Sequence, residues 1–121
     1  MRIAFFSPLN PQRSGISDYS EALLPRLGAH AEIEIFVEDC RPSNQEITKT
    51  FSVRHWREFE GEHARRRYDA VLYHVGNNPY HVYIYDLALR IPGVVVLHDF
   101  NLHYLVAEVT NVRNKWEEYL K

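Results

Sequence analysis

Small, polar and ionisable residues follow three apolar segments of the chain. They are Ser14 and Gly15, followed by the apolar Ile16, after the first segment; Asn77 after the second; and His98, Asp99 and His103 after the third. Ile16 is included as a candidate binding residue because it lies next to Gly15. A histidine in such a position can act as a general acid or base, donate a hydrogen bond to an anion or bind a metal. A glycine just before a helix lets a ligand come close to backbone N–H groups. These residues can therefore form a binding or reaction site if the fold brings them together.

Each of these residues also has a structural interpretation. Gly15 can simply make the turn into a helix, and Asp99 can cap the next helix instead of orienting His98; both alternatives stay open. His98 can bond a neighbouring backbone carbonyl, but we favour a functional role because the apolar run Val94–Leu97 predicts a buried strand that ends at it. His74 lies inside another strand-like run, and we interpret it as structural and directed away from the site.

A metal cluster is a further alternative for the histidines. His81 and His103 could join His98 and Asp99 around one ion, although none of their spacings matches an established zinc pattern. His103 can equally lie on the outer face of its helix. We therefore predict no metal-binding residue.

The elements that must position these residues are strands alternating with helices. The predicted strands are Arg2–Ser7, Glu32–Val37 near an edge, Phe51–His55, Tyr68–Val75 and Val94–His98. The first helix is predicted to begin with a cap at Ser17, and Pro25 is expected to shorten or kink its last turn. Further helices are predicted over Trp56–Arg67, from Asn78-Pro79 to Ile91, and from Asp99 to about Val109. Residues 38–50 are predicted to be a surface loop.

This alternation predicts an α/β fold, a Rossmann-like, doubly wound and mostly parallel sheet with helices on both faces. Ligands bind beyond the carboxyl ends of the strands in such sheets, and all three groups of polar residues follow strand ends on that edge. The three-glycine dinucleotide fingerprint and a Walker-type lysine are both missing from the sequence. We therefore expect no nicotinamide cofactor.

Composition limits the function classes. The formal net charge of the 121 residues is −2, which does not favour a nucleic-acid binder. No apolar run approaches the roughly 20 residues needed to cross a bilayer, and Pro8 ends the first apolar stretch too early for a secretory signal. The single cysteine, Cys40, favours a reducing, cytoplasmic setting.

Three stretches of the sequence resemble the family-4, "group 1" glycosyltransferases. They are Ile3–Leu9 with Ser14–Ser20, Tyr68–His81, and Pro92–Phe100, in the family's order and spacing over residues 1 to about 109. The resemblance implies the N-terminal half of a two-domain GT-B fold, in which this domain holds the acceptor and the C-terminal domain holds a nucleotide-sugar donor. It also implies sugar transfer with retention of configuration, with no cofactor and usually no required metal.

The resemblance also implies roles for individual residues. Gly15, between Ser14 and Ile16, resembles the loop glycine whose backbone approaches the donor phosphates or the acceptor. His98 resembles the histidine that lines the reaction centre, so it is the predicted catalytic residue. Asn77 and Asp99 fall on the same rim. A lipid-linked acceptor would place the full enzyme at the inner face of a membrane.

The C-terminal domain of that family has no counterpart in this sequence. We therefore expect residues 1–109 to be an incomplete N-terminal domain, residues 110–121 to be a helical tail or the start of the remainder, and the chain to be inactive alone. A truncated parallel sheet exposes a strand edge, which predicts self-association. Two other functions stay open: a non-catalytic, flavodoxin-like binding or interaction domain, and a metal-dependent hydrolase that uses His98, Asp99 and His103.

Overall fold

A computed structural model of the chain describes residues 1–12, 14–38, 41–65, 67–77 and 79–98. The strands are β1 (Arg2–Phe6), β2 (Glu32–Val37), β3 (Ser52–His55), β4 (Ala70–Val75) and β5 (Val94–Leu97); the helices are α1 (Gly15–Gly28), α2 (Gln45–Thr50), α3 (Phe59–Arg65) and α4 (Val82–Arg90), with 3₁₀ turns at Trp56–Glu58 and Pro79–His81. The five strands form one sheet in the order β3-β2-β1-β4-β5. Every neighbouring pair is parallel. The predicted α/β, Rossmann-like fold class is confirmed.

The central strand β1 is buried on both faces of the sheet. Its side chains alternate, so that Ile3 and Phe5 join one core while Ala4 and Phe6 join the other. On the Phe5 side the core includes Leu24 of α1 and Ile47 of α2; on the Phe6 side it includes Phe59 of α3 and Ile84 and Leu87 of α4. Burial from both sides explains why β1 is almost uniformly apolar.

Helix α1 begins earlier than the sequence predicts. Ser14 rather than Ser17 is the N-cap, because the Ser14 side chain accepts hydrogen bonds from the backbone N–H groups of Ile16 and Ser17. Ser17 is buried inside the first turn, where its hydroxyl donates to the carbonyl of Gln12 at 2.6 Å. Pro25 does not end the helix, which continues to Gly28.

The predicted loop over residues 38–50 contains a short helix, α2. The side chain of Asn44 caps it by accepting from the N–H of Glu46, and Ile47 is its one buried residue. With a single buried apolar position the segment has no hydrophobic period, so the sequence pattern could not reveal it.

Strand β2 lies one strand in from the edge and carries a buried carboxylate, Glu34. The Tyr68 hydroxyl donates to Glu34 Oε1 at 2.6 Å. The guanidinium groups of Arg2 and Arg54 pair with the same carboxylate at 3.1 and 3.0 Å, and Glu62 of α3 pairs with Arg54 at 3.2 Å. A buried charge is tolerated only when it is paired, so this cluster ties β2 to its neighbours and to α3.

Strand β5 is the edge of the sheet on the side of β4. Its side chains Val94, Val95 and Leu97 are about half exposed, at 56%, 48% and 47%. The predicted helix from Asp99 and the tail over residues 110–121 lie outside the described residues. Among the helices that the structure describes, none has the length and apolar composition to cross a membrane.

Candidate functional site

The amino end of α1 lies at the carboxyl edge of the sheet, because α1 follows β1 directly. Ser14 Oγ accepts from Ile16 N at 3.1 Å and from Ser17 N at 3.3 Å, so the cap occupies two of the N–H groups that the sequence suggested for a ligand. The Ile16 side chain is buried in the protein interior. The helix end is therefore already capped in the absence of a ligand.

Gly15 is exposed and is the first residue of α1. Its φ is not positive, and a Cβ added to it would meet no heavy atom within 4 Å. Neither backbone conformation nor contact with described neighbours requires a glycine here. Open space over the Gly15 backbone is what a ligand that approaches it closely would use.

Polar contacts fix the loop that leads into α1. Ser7, just after β1, and Ser20 of α1 share a buried hydrogen bond of 2.6 Å. The Glu21 carboxylate of α1 accepts from Asn10 N at 2.9 Å and from Asn10 Nδ2 at 2.6 Å, and its other oxygen accepts from Asn44 Nδ2 at 2.8 Å. Hydrogen bonds thus join Asn10 of the loop after β1 and Asn44 of the loop after β2 to Glu21 of α1.

His98 follows β5 and extends its pairing with β4. Its backbone N–H donates to the carbonyl of Val75 at 2.9 Å, and its side chain is half-buried. The ring packs edge-to-face against Tyr19 of α1, with the ring centroids 4.9 Å apart. Tyr19 lies one helical turn after Gly15, so His98 and the first turns of α1 lie at one edge of the sheet.

His74 is the residue that sequence reasoning missed. We interpreted it as structural and directed away from the site, whereas its Nδ1 lies 3.1 Å from Nε2 of His98. His74 is 1% exposed, and its ring packs against that of Phe5 of β1 with the centroids 4.6 Å apart. Burial first, and then the neighbouring His98 and His81, lower the pKa of His74 to about 4. His74 is therefore uncharged at neutral pH.

The alternation of side chains along β4 could have shown which face of the sheet His74 lies on. In β4, Leu72 and His74 share one face, and Leu72 packs against the core on the α1 side. His74 pairs in register with Val96 of β5, so His98 lies one same-face step further along the neighbouring strand. Finding this contact needs the strand pairing, which the sequence alone does not provide.

His81 holds the turn after β4. It is fully buried, and its Nδ1 lies 2.7 Å from the backbone carbonyl of His74. A carbonyl can only accept, so Nδ1 of His81 carries the hydrogen. Within the part of the chain that the structure describes, no three side chains of the metal-binding types form a group that could hold a metal ion.

The remaining predicted site residues are Asn77, Asp99 and His103. Asn77 is half-buried and lies two residues beyond the end of β4, on the same edge as His98. Asp99 and His103 lie outside the described residues, so their predicted roles stay predictions.

The edge thus combines a capped helix end, open space over Gly15 and a histidine pair. Such a set can donate hydrogen bonds to the oxygen atoms of a sugar or a phosphate. Comparisons with protein-family models, with curated proteins and with solved structures find no match to this chain.

Proposed function

We propose that the chain is the N-terminal, acceptor-side part of a retaining glycosyltransferase that moves a sugar from a nucleotide-sugar donor to an acceptor. The proposal starts from the three ordered stretches that resemble the family-4 enzymes. The observation that supports it most is the contact of His98 with Tyr19, since it joins the first and third of those stretches at the carboxyl edge of the sheet.

Sugar transfer makes two electrostatic demands that this edge can help to meet. The diphosphate leaving group must be anchored, and the positive charge that develops on the sugar ring must be stabilised. Backbone N–H groups at the start of α1 suit an anion, which would share them with Ser14 Oγ or displace it. His98 serves best as a hydrogen-bond donor to a sugar hydroxyl or a phosphate oxygen, and not as a nucleophile.

The proposed partner of this edge is a second domain that holds the donor. Proximity of donor and acceptor across a closing cleft supplies a large part of catalysis in such an enzyme. We therefore expect this chain to bind weakly and to transfer no sugar by itself.

The test is a titration of the ¹⁵N-labelled chain with UDP-glucose, with GDP-mannose and with free hexoses, followed by backbone amide shifts. We expect at least one of these probes to shift the amides of Gly15, Asn77 and His98, with little change at the opposite edge around Gly93. Absence of any shift at the carboxyl edge with every probe refutes the proposal and favours an interaction domain. Transfer of a sugar by the chain alone contradicts the half-site assignment.

A further inference from the structure

The contact between His74 and His98 is a single hydrogen bond, and its direction has a chemical consequence. The two ring nitrogens, His74 Nδ1 and His98 Nε2, are 3.1 Å apart. One of them must carry the hydrogen and the other must accept it. Because each neutral imidazole has one N–H, this choice also decides which nitrogen of His98 is protonated.

The burial of His74 decides the direction. The ring is uncharged at neutral pH, so it carries one hydrogen, on either Nδ1 or Nε2. Its Nε2 is buried and has no hydrogen-bond partner among the residues that the structure describes. A buried N–H without an acceptor is rarer in proteins than a buried acceptor without a donor, which favours the hydrogen on Nδ1.

We infer that His74 is a positioning residue: its Nδ1–H donates to Nε2 of His98 and thereby holds His98 as the tautomer with its hydrogen on Nδ1. A neutral histidine whose Nε2 accepts must carry its own hydrogen on the other nitrogen. Tyr19 packs against the His98 ring from α1 at 4.9 Å, so the ring is held from two elements at once. The role of this Nδ1–H as a donor to a sugar or phosphate oxygen rests on the proposed function.

The same geometry limits where a further proton on the pair can be placed. A second proton on His98 would sit on Nε2, directly opposite the Nδ1–H of His74. The pair could relieve this only if His74 moved its hydrogen to the buried Nε2, where no described residue accepts it. In its uncharged form His98 therefore presents its Nδ1–H as a donor with a fixed orientation.

The test is a long-range ¹H–¹⁵N correlation spectrum of the histidine rings, recorded without ligand at a pH above the ordinary histidine pKa of about 6.5. The signals of His98 are assigned by their loss in His98→Asn. We expect Nδ1 of His98 to be protonated and Nε2 to be unprotonated in the unaltered chain. A protonated Nε2 overturns the inference, whatever the variants do.

The variant His74→Leu tests the cause. It removes the donor, so we expect the His98 tautomers to become mixed, whereas the exposed control His30→Asn leaves them unchanged. An unchanged Nδ1–H tautomer in a folded His74→Leu chain means that something other than His74 fixes His98. These spectra need no sugar or nucleotide, so a failed ligand titration refutes the proposed function and leaves this inference standing.

Discussion

The chain is expected to lose stability in mild acid, and a large part of this loss is assigned to His74. Replacing His74 with leucine should therefore make the stability of the chain less sensitive to acid. In the folded protein the pKa of His74 is lowered from 6.5 to about 4, because the ring is buried and lies near His98 and His81. Between these two values the unfolded chain binds a proton at His74 and the folded chain does not. Stability therefore rises with pH in this window and is lost as the pH falls from 6.5 through 4.

The size of the effect follows from the same two values. Each tenfold difference in proton affinity is worth about 1.4 kcal/mol, so complete protonation of the unfolded chain at His74 costs about 3 kcal/mol. At about pH 5 the unfolded chain is largely protonated and the folded chain is not, which gives a loss of roughly 2 kcal/mol relative to neutral pH. His74 is 1% exposed, so solvent screening does not reduce this figure much.

The measurement is urea unfolding of both chains from neutral pH down to about pH 5, a window that follows from the histidine pKa values. Leucine at position 74 cannot titrate, so we expect the stability of His74→Leu to fall less steeply than that of the unaltered chain, by roughly 2 kcal/mol. His30 is exposed and serves as the control, since His30→Asn should keep the full loss. Parallel pH curves for His74→Leu and the unaltered chain would refute the reasoning.

Three further predictions test other parts of the molecule. A Cβ added at Gly15, or at the control position Gly61, would meet no heavy atom within 4 Å. In thermal unfolding both Gly15→Ala and Gly61→Ala should therefore keep their stability or gain up to about 1 kcal/mol. Only Gly15→Ala should weaken the amide shifts caused by UDP-glucose or hexose, and equal binding by both variants contradicts a ligand at Gly15. Gly93→Ala places a Cβ 2.6 Å from the Tyr73 ring and 2.8 Å from the backbone oxygen of Val71. We expect it to cost about 1–3 kcal/mol in urea unfolding; an unchanged midpoint would contradict the close packing at this position. Sedimentation should show concentration-dependent self-association through the exposed edge strand, weakened by Val95→Lys, since lysine on a strand edge blocks pairing; a strictly monomeric unaltered chain contradicts this.

The strands could be predicted from the sequence because burial leaves a direct trace in it. β1 appears as a continuous apolar run, and strand–helix alternation then implies a parallel sheet. The apolar run Val94–Leu97 also forms a strand, but the prediction that it is buried is wrong, because β5 is the edge strand and Val94, Val95 and Leu97 are about half exposed. The start of α1 was misplaced because Ser14 and Ser17 are both good caps by type, and only the hydrogen bonds of Ser14 Oγ decide between them. Helix α2 was missed because only Ile47 is buried in it.

The candidate site was predictable only in part. The topology identifies the edge of the sheet that receives Ser14, Asn77 and His98, and local pattern is enough for that. The hydrogen bond of His98 with His74 joins residues 24 positions apart and depends on the β4–β5 register, which no local pattern encodes. The role of Gly15 could not be predicted either, because it depends on the open space around its backbone: among the described residues, no heavy atom lies within 4 Å of where a Cβ would be.

The strand order also bears on how such a chain can acquire new specificity. The connections that follow β1 and β2, over residues 7–14 and 38–44, both leave the sheet at the carboxyl edge, and Glu21 of α1 binds Asn10 in one and Asn44 in the other. The buried cluster around Glu34 instead ties β2 to Arg54 of β3 and to Tyr68, independently of these two loops. Surface loops tolerate substitution and changes of length far better than the core does. Ser7, Pro8 and Leu9 of the first connection are buried and must be kept. Evolution or an engineer can therefore change exposed positions of the two connections, such as Pro11 and Ser43, to alter what the edge recognises, provided that the anchor on Glu21 is kept.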